Sequence, residues 1–484
     1  MVNQLNAFVT AVNNLTGEST SKELVEFCKK WLDEAADKIS AADIDRGFSQ
    51  LQLPKHTLGH ICLLLARLPK LKLESDYIEY VTRVNDAIFT YNDTQIAWAP
   101  EIYCRLFQNI ADVLISKSLP LHGIKLLRDA ILKFTRNSTE HLTNIHASLF
   151  CLCLKSRHFT EALPFFQLNV IDLFKSGTSL SSLENAGKSP SASNVPDSGE
   201  DKFPAPCQKA VLDAKPMLLF FYYGGMILCA LEKYEDALLF LEHGICLPAV
   251  RISAIVLEAF KKYILISLIL GRTKPVAQLP SYKSSLIQRC AVPLSTRYMN
   301  LSSLVERVSN ERGDVAAAVV IFLTENRNVF EKDRNVGLVK QLIIRTKENA
   351  IKRLGNVFIS LHLNEVSRFS FIMNINETEA IARRICYRDK YPLQYDQKTQ
   401  TFRFDTTTDS DDSDQKDQSS VYQQQVENAL CEMIKLSKLI KNFDDVVRVN
   451  PTYVSKNRAM SAGLFPEDEG FHATGAFSAS PPHS

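Results

Sequence analysis

The sequence predicts a mainly α-helical chain: an α-solenoid of stacked helix pairs, then a winged-helix module, then one helix suited to a coiled-coil-like bundle. Three observations predict it. Apolar residues recur at helical spacing from Met1 to about Phe330, with no strand-like alternation. From Val336 the order becomes helix, strand, helix, helix, strand, strand. Near the end, apolar residues alternate in steps of four and three.

The composition suits such a chain. At 484 residues it exceeds one ordinary domain, and 45% apolar with 23% charged residues is globular usage. A net charge of +2 offers no bulk attraction to nucleic acid or to an anionic membrane. The 11 cysteines are odd in number and follow no regular framework. Cys151, Cys153, Cys229 and Cys246 lie within apolar helical patterns, where a thiol acts as a small hydrophobe. That usage fits a reducing compartment. Met1 to Thr20 has neither the basic start nor the apolar run of a signal peptide. The longest uncharged stretch, Met217 to Leu231, is shorter than the ~20 residues a bilayer needs. Ile255 to Leu270 is interrupted by Glu258, Lys261 and Lys262. The expectation is a soluble protein of cytoplasm and nucleus.

The helix pairs are marked by a repeated local pattern. Pro120-Leu121-His122-Gly123-Ile124, Phe159-Thr160-Glu161-Ala162-Leu163 and Tyr234-Glu235-Asp236-Ala237-Leu238 each place a ring residue three positions before a small one, with an aliphatic next. A small side chain lets antiparallel helices approach, and the ring packs on the turn. This is the tetratricopeptide-like arrangement, in which each pair buries its apolar face on the next. The small residues lie 39 and then 75 positions apart. The segment from Ser176 to Lys209 is rich in Ser, Pro, Gly and Asn and is expected to be a disordered insertion. Without its 34 residues the second spacing is 41. Phe221, Gly225, Ala237 and Leu241, with Pro248 near the end, fit the repeat best. Ser253 reads as an N-cap, and Gly271 as the stop of the helix that follows.

The second unit begins with Val336 to Leu354, an amphipathic helix with Lys340, Arg345, Lys347, Lys352 and Arg353 on its polar side. Val357 to Leu363 reads as a strand and Asn364 to Met373 as a short helix. Asn376, with Glu379 three positions on, reads as a capping box opening a helix to about Asp389. Leu393 to Phe404 reads as two strands around Asp396 to Gln400, carrying Tyr395, Phe402 and Phe404. These three are the candidate contact residues of the wing strands. Thr406 to Ser420 is an acidic spacer in which Ser410 and Ser413 are candidate phosphorylation positions.

The candidate bundle seam is Tyr422, Val426, Ala429, Met433, Leu436, Ile440, Phe443 and Val447, almost four heptads long. So narrow a seam calls for partner helices. The polar stretch after Lys456 is expected to be disordered.

No catalytic pattern accompanies this architecture. Phosphate-binding glycine loops and the G-x-S-x-G elbow are missing. His56 and His60 have the spacing of two zinc ligands, but Thr57 stands where a zinc protease needs Glu. His141 and His146 match no ligand pattern. The expectation is a non-enzymatic chain with no metal and no cofactor. Arg383, Arg384, Arg388 and Lys390 on or just past the would-be recognition helix suggest a nucleic-acid adaptor. Glu377 and Glu379 in its first turn oppose that reading, because this end of the helix would meet phosphates. Protein contact through a strand edge is the stronger reading.

Helical repeats, a winged helix and a terminal bundling helix, in that order, resemble the PCI family. Its members occur in the proteasome lid, the COP-nine signalosome and a translation initiation factor. Six stretches are similar to a signalosome member: Pro120 to Leu127 (PLHGIKLL), Leu142 to Lys155 (LTNIHASLFCLCLK), Phe221 to Ile227 (FYYGGMI), Lys261 to Leu268 (KKYILISL), Asn335 to Gln341 (NVGLVKQ) and Val449 to Val454 (VNPTYV). The resemblance implies a scaffold role in removing the ubiquitin-like modifier Nedd from cullins, hence in regulating cullin-RING ubiquitin ligases. It implies other PCI-domain subunits and a JAMM-type isopeptidase subunit as partners, with cullin-RING ligases as substrates of the complex. The domain limits that follow are 1–215 for the N-terminal repeats, 216–335 for the helical part of the PCI domain and 336–405 for its winged helix. A linker at 406–420, a bundle helix at 421–449 and a disordered end at 457–484 complete the chain. A proteasome-lid or initiation-factor scaffold remains the alternative within the same fold.

Overall fold

The computed structural model describes residues 2–15, 21–137, 141–166, 212–247, 252–279, 287–311, 313–372, 374–389, 393–396 and 399–404, and near the end 427, 430–431, 433–442, 445 and 454–455. The expected insertion at 176–209, the linker at 406–420 and the end at 457–484 lie outside the described residues.

Helices α1 (Val2–Asn14), α2 (Ser21–Glu34), α3 (Ala41–Gln50) and α4 (Thr57–Arg67) open the chain. Every residue of α4 from Thr57 to Ala66 is buried, as expected for a helix apolar nearly all round. Next come α5 (Glu74–Ile88), α6 (Asp93–Trp98), α7 (Pro100–Ser116), α8 (Pro120–Phe134) and α9 (Asn144–Ser156). The second repeat segment forms a 3₁₀ turn, Thr160–Phe166, with Pro164 inside it. Then follow α10 (Ala214–Ala230), α11 (Tyr234–Ile245) and α12 (Ala254–Ile269). From α7 to α9 and again from α9 through α12, successive helices pack on one another.

The small residues lie where the helices meet. At Gly123 in α8 a Cβ would stand 2.7 Å from Leu114 Cδ1 in α7 and 2.8 Å from Leu152 Cδ1 in α9. Ala162 and Ala237 are fully buried. At Gly225 in α10 a Cβ would come within 2.7 Å of Leu241 Cγ in α11. Gly225→Val therefore forces these helices apart and is expected to destabilise the fold by about 1–3 kcal/mol, the range for overpacking. Thermal unfolding followed by circular dichroism measures it.

Helix α12 begins and ends where its sequence signals stand. Ser253 Oγ accepts a bond from the Val256 N–H at 3.3 Å. Past its end Gly271 takes φ +79°, and the Arg272 N–H returns to the Ser267 carbonyl. The two lysines within α12 are buried and satisfied. Lys261 Nζ lies 2.8 Å from Glu258 and 2.9 Å from Asp333. Lys262 Nζ donates to Asn335 Oδ1 at 2.9 Å. Burial lowers the Lys262 pKa. Tyr298 donates to Asp333, and Asn335 donates to Tyr298. The network joins α12 to α13 (Thr296–Asn310) and to the turn after α15 (Arg327–Lys332). Helix α14 (Val315–Glu325) lies between these two in sequence and packs on α13.

One apolar core runs from Leu5 to Ile227 and a second from Leu228 to Leu342. Phe166 and Phe240 pack against both, which makes the solenoid continuous. A third, smaller core spans Ile351 to Phe404. It holds α17 (Leu363–Phe369), α18 (Ile375–Asp389) and the strands β1 (Ser360–His362), β2 (Leu393–Asp396) and β3 (Thr401–Phe404). The sheet is antiparallel in the order β1-β3-β2, with Leu361 opposite Phe402 and Tyr395 opposite the same residue on the other side.

Boundaries in this module differ from expectation, and α17 ends at Phe369 rather than near residue 373. The first strand is only Ser360–His362, because Val357 and Ile359 are exposed and His362 Nδ1 accepts the Asn364 N–H at 3.3 Å to start α17. Helix α18 begins at Ile375 because Asn374 is its cap: Asn374 Oδ1 accepts the Asn376 N–H at 3.0 Å. Glu379 is therefore not the partner of a cap at Asn376 and instead pairs with Arg383.

Candidate interaction surfaces

The helix that positions the wing module is α16 (Val336–Leu354). Its Val339 and Leu342 belong to the second core and its Ile351 to the third. One rigid helix thus serves both units, so its polar side cannot all face water. Lys340 and Arg353 are exposed, but Arg345 and Lys347 turn inward. Arg345 donates to Glu348 Oε2 at 3.1 Å, reaches Glu232 at 3.6 Å and lies over the Tyr234 ring at 5.2 Å. Glu348 is fully buried, and its other oxygen is 3.7 Å from Arg384 of α18. Lys347 meets Glu377 at 2.5 Å. Two arginines and one buried carboxylate therefore tie the α10–α11 turn, α16 and α18 together.

The same contacts change the meaning of the basic residues on α18. Arg383 is paired with Glu379 and its guanidinium lies 5.9 Å from the Tyr395 ring. Arg384 answers Glu348, and Glu377 draws in Lys347. These cations neutralise carboxylates of the chain itself, which weakens the case for a phosphate-binding face. The side chain of Arg388, and Lys390 as a whole, lie outside the described residues.

Of the wing-strand residues, Phe402 is 0% and Phe404 2% exposed. Both belong to the module's own core, in one cluster with Ile381, Ala382 and Ile385 of α18. Their side chains hold the sheet together. Tyr395 is half-buried and stacks on Phe402 with ring centroids 4.6 Å apart.

In the terminal segment residues 433–442 are helical. Met433 is 66%, Leu436 50% and Ile440 63% exposed. Leu430, Ile434 and Leu439 add to the exposed apolar face. Tyr422, Val426, Ala429, Phe443 and Val447 lie outside the described residues.

His60, His146, Cys153 and Cys229 are packing groups. His60 lies 3.1 Å from the Tyr91 hydroxyl, and burial brings its pKa down to about 4. His146 bonds Thr143, and burial brings its pKa down to about 3. Burial pushes the Cys153 and Cys229 thiols up to about 12, so they remain protonated and unreactive. Among the described residues no group of three or more His, Cys, Asp or Glu side chains could hold a metal ion. No described helix is long and apolar enough to cross a membrane.

Stacked helix pairs joined through one shared helix to a small module with a three-stranded sheet define an α-solenoid protein. The chain belongs to the family of COP9 signalosome complex subunit 3, whose N-terminal helical repeats match residues 18–287. It is 26% identical over 457 residues to COP9 signalosome complex subunit 3 of Drosophila melanogaster, covering 94% of this chain and 95% of the relative. To the protein of the same name in Arabidopsis thaliana it is 26% identical over 461 residues, covering 94% of each.

The sequence alone did not reveal the Arg345–Glu348–Arg384 cluster. Its one visible trace is the Arg345–Glu348 spacing of three, which also marks ordinary solvated helix pairs.

Proposed function

We propose that the chain is a non-catalytic scaffold subunit of a COP9 signalosome, supporting cullin deneddylation and so regulating cullin-RING ubiquitin ligases. The observation that carries this reading is similarity along nearly the whole chain to subunit 3 of an animal and of a plant. The exposed apolar helix at 433–442 supports it, because such a face is stable when other helices cover it. In this reading 1–215 and 216–335 form the repeats, 336–405 the winged helix and 421–449 the bundle helix. Other PCI-domain subunits adjoin the wing edge and the bundle helix. The isopeptide bond is cut by a separate JAMM-type subunit, and the complex works in cytoplasm and nucleus.

The test is gentle affinity purification of the tagged chain from its own cells, with mass spectrometry and a deneddylation assay on the eluate. Several PCI subunits, a JAMM-type isopeptidase and cullin-deneddylating activity are expected together. Recovery of proteasome base subunits or ribosomal proteins in their place overturns the reading.

A further inference from the structure

A groove of about 460 Å³ opens between the last solenoid helices and the wing module. Leu268 and Val305 line it from the solenoid, Val315 from α14, Leu354 from α16, and Val357 and Phe371 from the wing module. Val357 is exposed and Phe371 half-exposed. Of the charged groups lining it, Asp314 caps α14 through the Ala317 N–H and Lys347 pairs with Glu377, which leaves Arg353 as an exposed cation with no carboxylate partner among the described residues.

Phe371 has a second peculiarity. It follows α17 in the left-handed region, at φ +58°, where a glycine is usual. The Ile372 N–H bonds the Ser367 carbonyl at 3.1 Å, and Ile372 is buried. This turn needs the left-handed residue but not its ring. An aromatic side chain kept there, half in water, at the mouth of a groove with apolar walls and a polar rim, points to something that covers it.

We propose that the chain's own segment Leu464–Phe471 (LFPEDEGF) occupies this groove. Leu464, Phe465 and Phe471 supply rings and an aliphatic for the apolar walls, and Glu467, Asp468 and Glu469 face Arg353. No other segment outside the described residues has phenylalanines on both sides of a run of carboxylates, and the acidic run Thr406–Ser420 has no apolar side chain. Leu464 lies nine positions after Ser455, a described residue, and an extended chain of that length reaches about 30 Å. Seated there, the segment bridges α13 and α14 to α16 and α17 and fixes the wing module against the solenoid. The inference does not depend on which assembly the chain joins.

Hydrogen exchange over residues 346–357, compared at low protein concentration between the full chain and a chain ending at Lys456, tests it. About tenfold slower exchange is expected in the full chain. Arg353→Glu in the full chain should exchange as fast as the shortened one, and Lys at 467–469 should restore protection to that variant. Phe371→Gly should also lose protection while melting no lower than the parent, because glycine takes φ +58° freely. Equal exchange with and without the segment overturns the proposal. Protection that grows with concentration also overturns it, since a second copy would then be the cover.

Discussion

Arg345→Met is expected to destabilise the junction between solenoid and wing module by about 3–5 kcal/mol, the usual cost of removing one partner of a buried ion pair. The member that loses its nearest cation is Glu348, which has no exposure. Its other cation, Arg384, stands 3.7 Å away on a side chain that is 45% exposed, and a pair that open adds about 0–1 kcal/mol. Glu348→Ala should cost less, because Arg345 keeps Glu232 and the face of Tyr234. The double variant Arg345→Met with Glu348→Leu removes both charges and should recover most of the loss. Local hydrogen exchange in α16 and α18 against urea reads the effect. A double variant no more stable than Arg345→Met would show that Glu348 is not the source of the penalty.

This cluster also shows what could be read in the sequence. The helix Val336 to Leu354 was legible from its period, but the period assigns polar residues to water by default. Because α16 is shared by two cores, part of that side meets Glu232 and Tyr234 and part meets α18. Nothing at positions 345, 347 or 348 announces a second neighbour. The close helix contacts were legible, since a glycine such as Gly123 at a repeat position has a direct steric meaning. The cap of α18 was missed by two residues because Asn374 and Asn376 are both good caps. Local pattern favoured Asn376, whereas the turn through Ile372 selects Asn374. The wing phenylalanines were legible as strand residues but not as core ones. A two-strand ribbon leaves either face open, and the choice is made by α18 packing on one of them. The groove was not legible, because its walls come from positions as far apart as Leu268 and Phe371.

Replacing Met433, Leu436 and Ile440 together with Asp is expected to release the chain from its assembly. In the isolated chain these side chains are half or more exposed, so the substitutions should leave its folding unchanged. Covered by partner helices, each contributes about 1.5 kcal/mol or more. Losing three weakens association by about 4–5 kcal/mol, roughly a thousandfold, and burying new carboxylates adds to that. The apolar face extends beyond the seam, with Leu430 and Ile434 on one flank and Leu439 on the other. So wide a face needs more than one partner helix, which favours a multi-helix bundle over a two-stranded pair. Lys435, Lys438 and Lys441 interrupt or oppose that face, and changing them to Ser should leave incorporation intact. Deleting Tyr422 to Val447 should act like the triple variant. Co-purification of the tagged variants with the other subunits, compared with the parent at equal expression, decides it. If the triple variant enters the complex as well as the parent does, the helix at 433–442 is not what holds this subunit in place, and the contact rests on the edges of the wing sheet.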